Sequence, residues 1–414
     1  MPNLHSARRA TLTVLAQGLS SVTNFAAGAL ALAASGGDLA AFGRFAIAFQ
    51  LCQVVIAIAQ GSTGTAVLIH GAKGEQSGAG ENQSDAAAIG AGAAAWSLLI
   101  GAYLGLALVA AGLIVGGELQ TSLFLAGAGS FALTSQYTLR SERFARQDAA
   151  GVVRADGIWL LVLLAGAAGD ALGGWDPTVN NYLAVWLVGA FVSALPAIVS
   201  ALGPGRHALG IFWRTTGPQA VRTGVDAFLA RSVFVVTLIL ADVIVGDEAS
   251  GLLAAAVLVF SPMSVIHAST LAVMVPATIR DKGIHVTGPR LPLQAFASIA
   301  LATFLWAAFL LIFNETSLAF GPFDLDAAGV TGALFAGTLL RFLGMAFWRG
   351  PVIALRVADA AAEGLKARTI GTIAQWVIPA IGLAIADVNG GAFGLALATW
   401  FGASVAWRQY WQLR

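Results

Sequence analysis

The sequence predicts an all-α polytopic membrane protein, with twelve transmembrane helices in two six-helix lobes related by a pseudo-twofold axis along the membrane normal. Three observations predict it. Hydrophobic residues make up 58% of the 414 and charged residues only 10%, where soluble domains are roughly a quarter charged, so lipid must cover most of the surface. Twelve mainly apolar runs approach or exceed the length of about 20 residues that crosses a hydrocarbon core. The charges between those runs alternate in sign.

The elements follow in order. Arg8 and Arg9 precede the first span, 11–34, which exceeds twenty residues and is followed by further spans, so it is read as retained and not as a signal peptide. Asp38 separates it from the second span, 40–69, and Lys73 follows that. The third span, 87–115, ends before Glu118; the fourth, 118–139, runs into Arg140, Arg143, Arg146 and Arg154. Asp170 and Asp176 end the fifth, 150–170, and Arg206, Arg214 and Arg222 follow the sixth, 180–202. The seventh, 220–245, meets Asp247 and Glu248, and the eighth, 249–277, meets Arg280, Lys282 and Arg290. Glu315, Asp324 and Asp326 close the ninth, 291–314. Arg341, Arg349, Arg356, Lys366 and Arg368 are assigned to the flank of the tenth, 327–347. Asp387 divides the eleventh, 367–386, from the twelfth, 388–407, which Arg408 and Arg414 follow.

With both termini in the cytoplasm, 20 of the 22 basic residues fall on the cytoplasmic side and the opposite connections carry acids only. This is the asymmetry of the positive-inside rule, and a wrong helix count would scramble it. It points to the inner (cytoplasmic) membrane. Transmembrane β-strands would alternate apolar and polar residues over about ten positions; no such alternation occurs.

The Gly-, Pro- and Arg-containing stretch LGPGRHALGIFWRTTGPQ, 202–219, falls after the sixth span. It divides the chain into an N-terminal lobe, 1–203, a cytoplasmic linker, 204–218, and a C-terminal lobe, 219–414. GGDLAAFGRFAIAF, 36–49, is echoed by GDEASGLLAAAVLVF, 246–260, each with an acidic turn, a glycine (Gly43, Gly251) and a small or aliphatic helix. An even number of helices per lobe makes such a repeat parallel.

Two basic residues escape the cytoplasmic surface, Arg231 and Arg44. Arg231 lies near the middle of the seventh span, where a charge costs at least ~2.5–3.5 kcal/mol and commonly marks a substrate or ion path; the alternative is a structural pairing with an acid. Arg44 lies about a turn inside the second span and either lines a cavity or snorkels to the headgroups. Gln17, Ser20, Ser21, Asn24 and Gly28 share one face of the first span, and Gln50, Gln53 and Gln60 lie in the second. These stripes line water or join helices in lipid. Asp226, at i,i+4 from Arg222, either pairs with it or couples transport to H+ or Na+. His267 is embedded, and Pro196, Pro262 and Pro379 predict kinks.

Other chemistry has no support. No Walker A, HExxH or nucleophile-elbow motif occurs, and the single cysteine, Cys52, excludes an internal disulfide and a cysteine-based metal site. No catalytic residue, metal or cofactor is expected. The basic residues flank membrane spans, which gives no nucleic-acid surface.

SSVTNFAAGALALAA leading through a short turn to LAAFGRFAIAFQL, with the FG-x-F-A pattern at Phe42, Gly43, Phe45 and Ala46, is similar to the first helical hairpin of bacterial lipid-linked oligosaccharide flippases. These belong to the multidrug, oligosaccharidyl-lipid and polysaccharide exporter superfamily. TLRSERFARQDAAGVVRAD, 138–156, resembles their basic connection between the fourth and fifth helices. The resemblance implies a transporter, not an enzyme. It would flip a polyprenyl-diphosphate-linked oligosaccharide by alternating access, for polysaccharide biosynthesis, with Arg231 and Arg44 holding the diphosphate and Asn24, Gln17 and Gln53 beside them. Arginine's planar donor fork suits phosphate. A cation-coupled multidrug exporter of the same superfamily is the main alternative and would favour embedded acids such as Asp226 and Asp242. A membrane glycan-processing enzyme is the second, disfavoured by outer connections of only about ten to twelve residues, too short to build a site.

Overall fold

The computed structural model describes residues 4–65, 67, 80–146, 148–175, 178–202, 205–264, 266, 290–316, 323–357 and 361–413. Among them all regular structure is helical. In order these are α1 (Leu4–Ala34), α2 (Leu39–Ala59) continuing into a π-helical turn (Gln60–Gly64), α3 (Gly80–Val115), α4 (Gly117–Ala145), α5 (Ala149–Ala171) and α6 (Val179–Ala201). After them come α7 (Gly205–Ile244), α8 (Asp247–Phe260), α9 (Arg290–Asn314), α10 (Gly332–Val357) and α11 (Ala361–Gln412). Eight of the described helical runs are long and apolar enough to cross a membrane, which makes this a multi-pass integral membrane protein. The connections around Lys73 and Arg280–Lys282, together with Asp176 and His267, lie outside the described residues.

The acids of the sequence pattern have a local structural role. Asp38 Oδ1 accepts from Ala41 N at 2.9 Å and starts α2 after Gly36 and Gly37, whose φ values of 59° and 92° suit glycine. Glu118 lies in the first turn of α4, and Asp247 and Glu248 in that of α8, where the exposed backbone N–H groups favour negative charge. Asp387, with φ 51°, breaks α11 into two arms together with Ala386, as expected for the eleventh and twelfth spans. Gln375 Nε2 on the first arm donates to Thr399 Oγ1 on the second at 2.9 Å.

Three expectations are corrected. The 204–218 segment is not a loop, because α7 runs from Gly205 through Pro218 to Ile244. Its start is held by packing: Phe212 is fully buried with Val67, Ile89, Ala93 and Ala145, and Gly92 of α3 lets the Ala208 backbone approach where a Cβ would collide. Tertiary burial overrides the local glycine and proline preferences. Next, α4 extends past residue 139, so Arg140 is buried inside the fold and not on a cytoplasmic loop. Finally, Arg341 lies mid-way along α10 within a membrane-length apolar run, not on its flank. Of the prolines, Pro196 and Pro379 lie inside helices, whereas α8 ends at Phe260, ahead of Pro262.

The chain forms two compact units, the first Met1–Ala31 with Ala48–Ser232, the second Leu32–Ile47 with Val233–Arg414. In the first, α3, α4 and α6 pack on one another and α5 on α6. In the second, α10 packs between α9 and α11, and α8 packs on α10 and α11.

The two glycines of the sequence echo meet in the second unit. A Cβ on Gly43 would stand 2.8 Å from Gly251 N and 3.2 Å from Asp247 O, and one on Gly251 would collide with Leu39 O. Each glycine therefore covers the carbonyl four residues before the other. Such a contact is isologous, the arrangement that a local twofold axis produces.

Candidate functional site

Arg231 lies on α7 and is solvent-exposed. Its depth follows from its helix. From Arg222 to Asp242 is a rise of about 30 Å at ~1.5 Å per residue, the thickness of a hydrocarbon core, and Arg231 falls near the middle. Tyr137 of α4 is close enough to interact with its charge. Among the described residues Arg231 makes no hydrogen bond or ion pair. A guanidinium at that depth with neither water nor acid would be costly, so its exposure identifies a polar space beside it.

Behind Tyr137 lies a network that the sequence did not disclose. Arg140 of α4 is 8% exposed and Asp156 of α5 is 1% exposed, with Arg140 Nε 3.5 Å from Asp156 Oδ2. Arg140 Nη1 donates to Ser20 Oγ at 3.0 Å, and Nη2 donates to Gln17 Oε1 at 3.1 Å and Ala16 O at 3.3 Å. Gln136 Nε2 donates to Asp156 Oδ1 at 3.0 Å. Ser20 Oγ and Tyr137 Oη are 3.4 Å apart, and the Arg140 guanidinium lies 5.8 Å from the Tyr137 ring centroid. Arg140 thus ties α1 to α4 and α5 while neutralising the carboxylate. Its signal in the sequence was masked, because TSQYTLRSER reads as the polar end of a span.

The other expected residues separate. Gln17 faces Arg140, and with it the Tyr137 side of the first unit. Gln53, buried, donates from Nε2 to Asn24 Oδ1 at 3.4 Å, joining α2 to α1. The polar stripe of α1 therefore holds helices together along much of its length, the outcome weighed against a lined cavity. Arg44 is half-buried near the start of α2, where Asp242 feels its charge. Asp226 is half-buried on α7. In the second unit, Arg341 places its guanidinium 4.7 Å from the Phe234 ring centroid, with Nη1 buried and without a hydrogen-bond partner. The sequence reading missed that residue as well.

Helix crossings at two levels border these charges. Besides the Gly43–Gly251 contact, Thr223 Oγ1 of α7 donates to Gly61 O at 2.6 Å. That carbonyl belongs to the π-helical turn, a distortion that recurs at functional sites.

No protein family profile matches the chain, and no curated protein is similar to it in sequence. Its fold does match solved structures over nearly its whole length. An inward-facing multidrug resistance MATE family transporter of the MOP superfamily aligns with a TM-score of 0.65 at 15% identity, covering 98% of each chain. A MOP superfamily transporter from Pyrococcus furiosus, described as having a binding pocket of reverse polarity, aligns at 0.68 and 14%, covering 98% of this chain and 94% of the other. An outward-facing MATE transporter of the MOP superfamily aligns at 0.61 and 16%, with the same coverage. The chain has the fold of MATE transporters.

Proposed function

We propose that this protein flips a polyprenyl-diphosphate-linked oligosaccharide across the inner membrane by alternating access, for polysaccharide biosynthesis. One observation carries the reading: Arg231 is exposed at mid-membrane without an acid partner, while the embedded carboxylates Asp156 and Asp242 are faced by Arg140 and Arg44. A cationic drug would need a free carboxylate at that depth. A diphosphate offers acceptor oxygens to a guanidinium. Solved neighbours of this fold in inward- and outward-facing forms support the transport cycle.

In this reading the moving bodies are the six-helix lobes 1–203 and 219–414, related by a pseudo-twofold that passes between Gly43 and Gly251. The connecting segment 204–218 and both termini face the cytoplasm. The Gly43–Gly251 crossing closes the outer side and the Gly61–Thr223 bond closes the inner side. That arrangement explains why the compact units mix the halves: each closure fastens a piece of one lobe to the other. Asp226 supplies the H+ or Na+ coupling. Arg44 steadies the outer closure against Asp242 and meets the diphosphate when that closure opens; Gln17, Asn24 and Gln53 set the position of α1 beside the path.

Multidrug export is the second reading, favoured by the description of the MATE neighbours. Reconstituted protein separates the two. A fluorescent prenyl-diphosphate sugar should be translocated by the wild type, about 10–100-fold more slowly by Arg231→Ala, the equivalent of one or two charge-assisted hydrogen bonds, and at an intermediate rate by Arg231→Lys. Undiminished flipping by Arg231→Ala would refute the assignment, and transport of a lipophilic cation alone would establish the second reading.

A further inference from the structure

We propose that the apolar pocket among α2, α3 and α7 of the first unit seats the isoprenoid chain of the lipid whose phosphate meets Arg231. The inference rests on the anionic-lipid reading above and adds where the lipid's tail is held.

The pocket has a volume of about 420 Å3 and is lined by carbon, including Ile58, Trp96, Tyr103, Trp213, Val225 and Phe228. The Ser62 hydroxyl on its wall is already donated to Ile58 O at 2.7 Å. A sugar or headgroup would find nothing there to replace its lost hydration, whereas a hydrocarbon chain would. Trp96 and Trp213 meet edge to face with centroids 4.7 Å apart and make a rigid part of the wall. The π-helical turn at Gln60–Gly64 widens α2 beside it.

The location selects the occupant. Phe228 precedes Arg231 by one turn on α7, so the pocket runs from mid-membrane, beside the guanidinium, toward the Ala220 and Trp213 end. Phospholipid phosphates sit about 15 Å away, at the edge of a ~30 Å core. A chain that starts beside Arg231 belongs to a lipid whose phosphate is itself at mid-depth, which is the state of a lipid being moved across. The second unit provides the contrast. Its apolar pocket, of about 560 Å3 and lined by Leu340, Ile381, Phe393 and Trp400, has no accessible cation of this kind. Arg341, next to Leu340, is stacked on Phe234 with Nη1 buried.

The test is equilibrium binding of geranylgeranyl phosphate to the full-length protein in phosphatidylcholine nanodiscs. Val225→Trp and Val221→Phe, both on exposed positions at the pocket, should each weaken binding by at least about tenfold, as should Arg231→Ala. Ile381→Trp, which fills the other pocket, should leave it unchanged. Geranylgeraniol should bind at least about tenfold more weakly than the phosphate. If Arg231→Ala weakens binding and neither pocket variant does, the tail site is overturned and the anionic-lipid reading stands. If none of the three has an effect, both fall. Equal binding of the alcohol, or displacement by equimolar dioleoyl phosphatidylglycerol, would also overturn the proposal, since the pocket would then hold any lipid chain.

Discussion

Replacing Asp156 by leucine should destabilise the first unit by about 3–5 kcal/mol, the usual cost of removing one partner from a buried ion pair. The geometry sets that figure. Asp156 is 1% exposed and Arg140 8%, so water cannot take the place of the lost carboxylate. Arg140 Nε lies 3.5 Å from Asp156 Oδ2 and neither atom has a hydrogen-bond partner, so the attraction is chiefly Coulombic. The substitution also strands the Gln136 amide that donates to Oδ1, adding about 1 kcal/mol. The contacts from Arg140 to Ser20, Gln17 and Ala16 O persist and anchor the uncompensated cation. The assay is reversible unfolding in mixed micelles, followed by the fluorescence of Trp159, which packs edge to face on Tyr137. The double variant Arg140→Met with Asp156→Leu should recover most of the loss, because an apolar pair of similar volume has no charge to bury. A loss below about 1 kcal/mol in the single variant, or no recovery in the double, would refute the argument.

Gly43→Val and Gly251→Val should each disrupt the α2–α8 crossing, since both side chains would meet backbone; cysteine crosslinking between 40 and 248 should fall sharply, and unchanged yield would contradict the close approach. Thr223→Val keeps the shape but leaves Gly61 O without that donor, so it should cost about 1 kcal/mol and shift accessibility labelling at the π-helical turn; no shift would remove its closing role. Arg44→Ala should impair assembly or transport less when combined with Asp242→Asn than alone. Additive losses would show that the two charges act independently.

The membrane class and most helix boundaries were legible because apolar length and charge alternation are strong signals. The Asp387 break and the Asp38 cap followed from the same short acidic turns. The 204–218 segment was misread because glycine and proline report local preference, whereas Phe212 is held in place by helices distant in sequence. Arg140 and Arg341 were assigned to flanks for a related reason. Hydropathy cannot separate a basic residue beyond a helix end from one tucked inside it, and only packing supplies the Asp156 carboxylate or the Phe234 ring that makes burial tolerable. Arg231 was legible because apolar sequence surrounds it on both sides. Arg44, the other anomaly, proved to lie near an acid that sequence distance had hidden.

The central claim is that Arg231 makes the path select anions. Binding of inorganic pyrophosphate and of tetraphenylphosphonium to the purified wild type and to Arg231→Ala tests it most directly. Pyrophosphate should bind the wild type in a salt-sensitive manner and lose at least about tenfold in affinity in the variant, while tetraphenylphosphonium should bind weakly to both. Tight tetraphenylphosphonium binding that Arg231→Ala leaves unchanged, with no pyrophosphate binding, would contradict it.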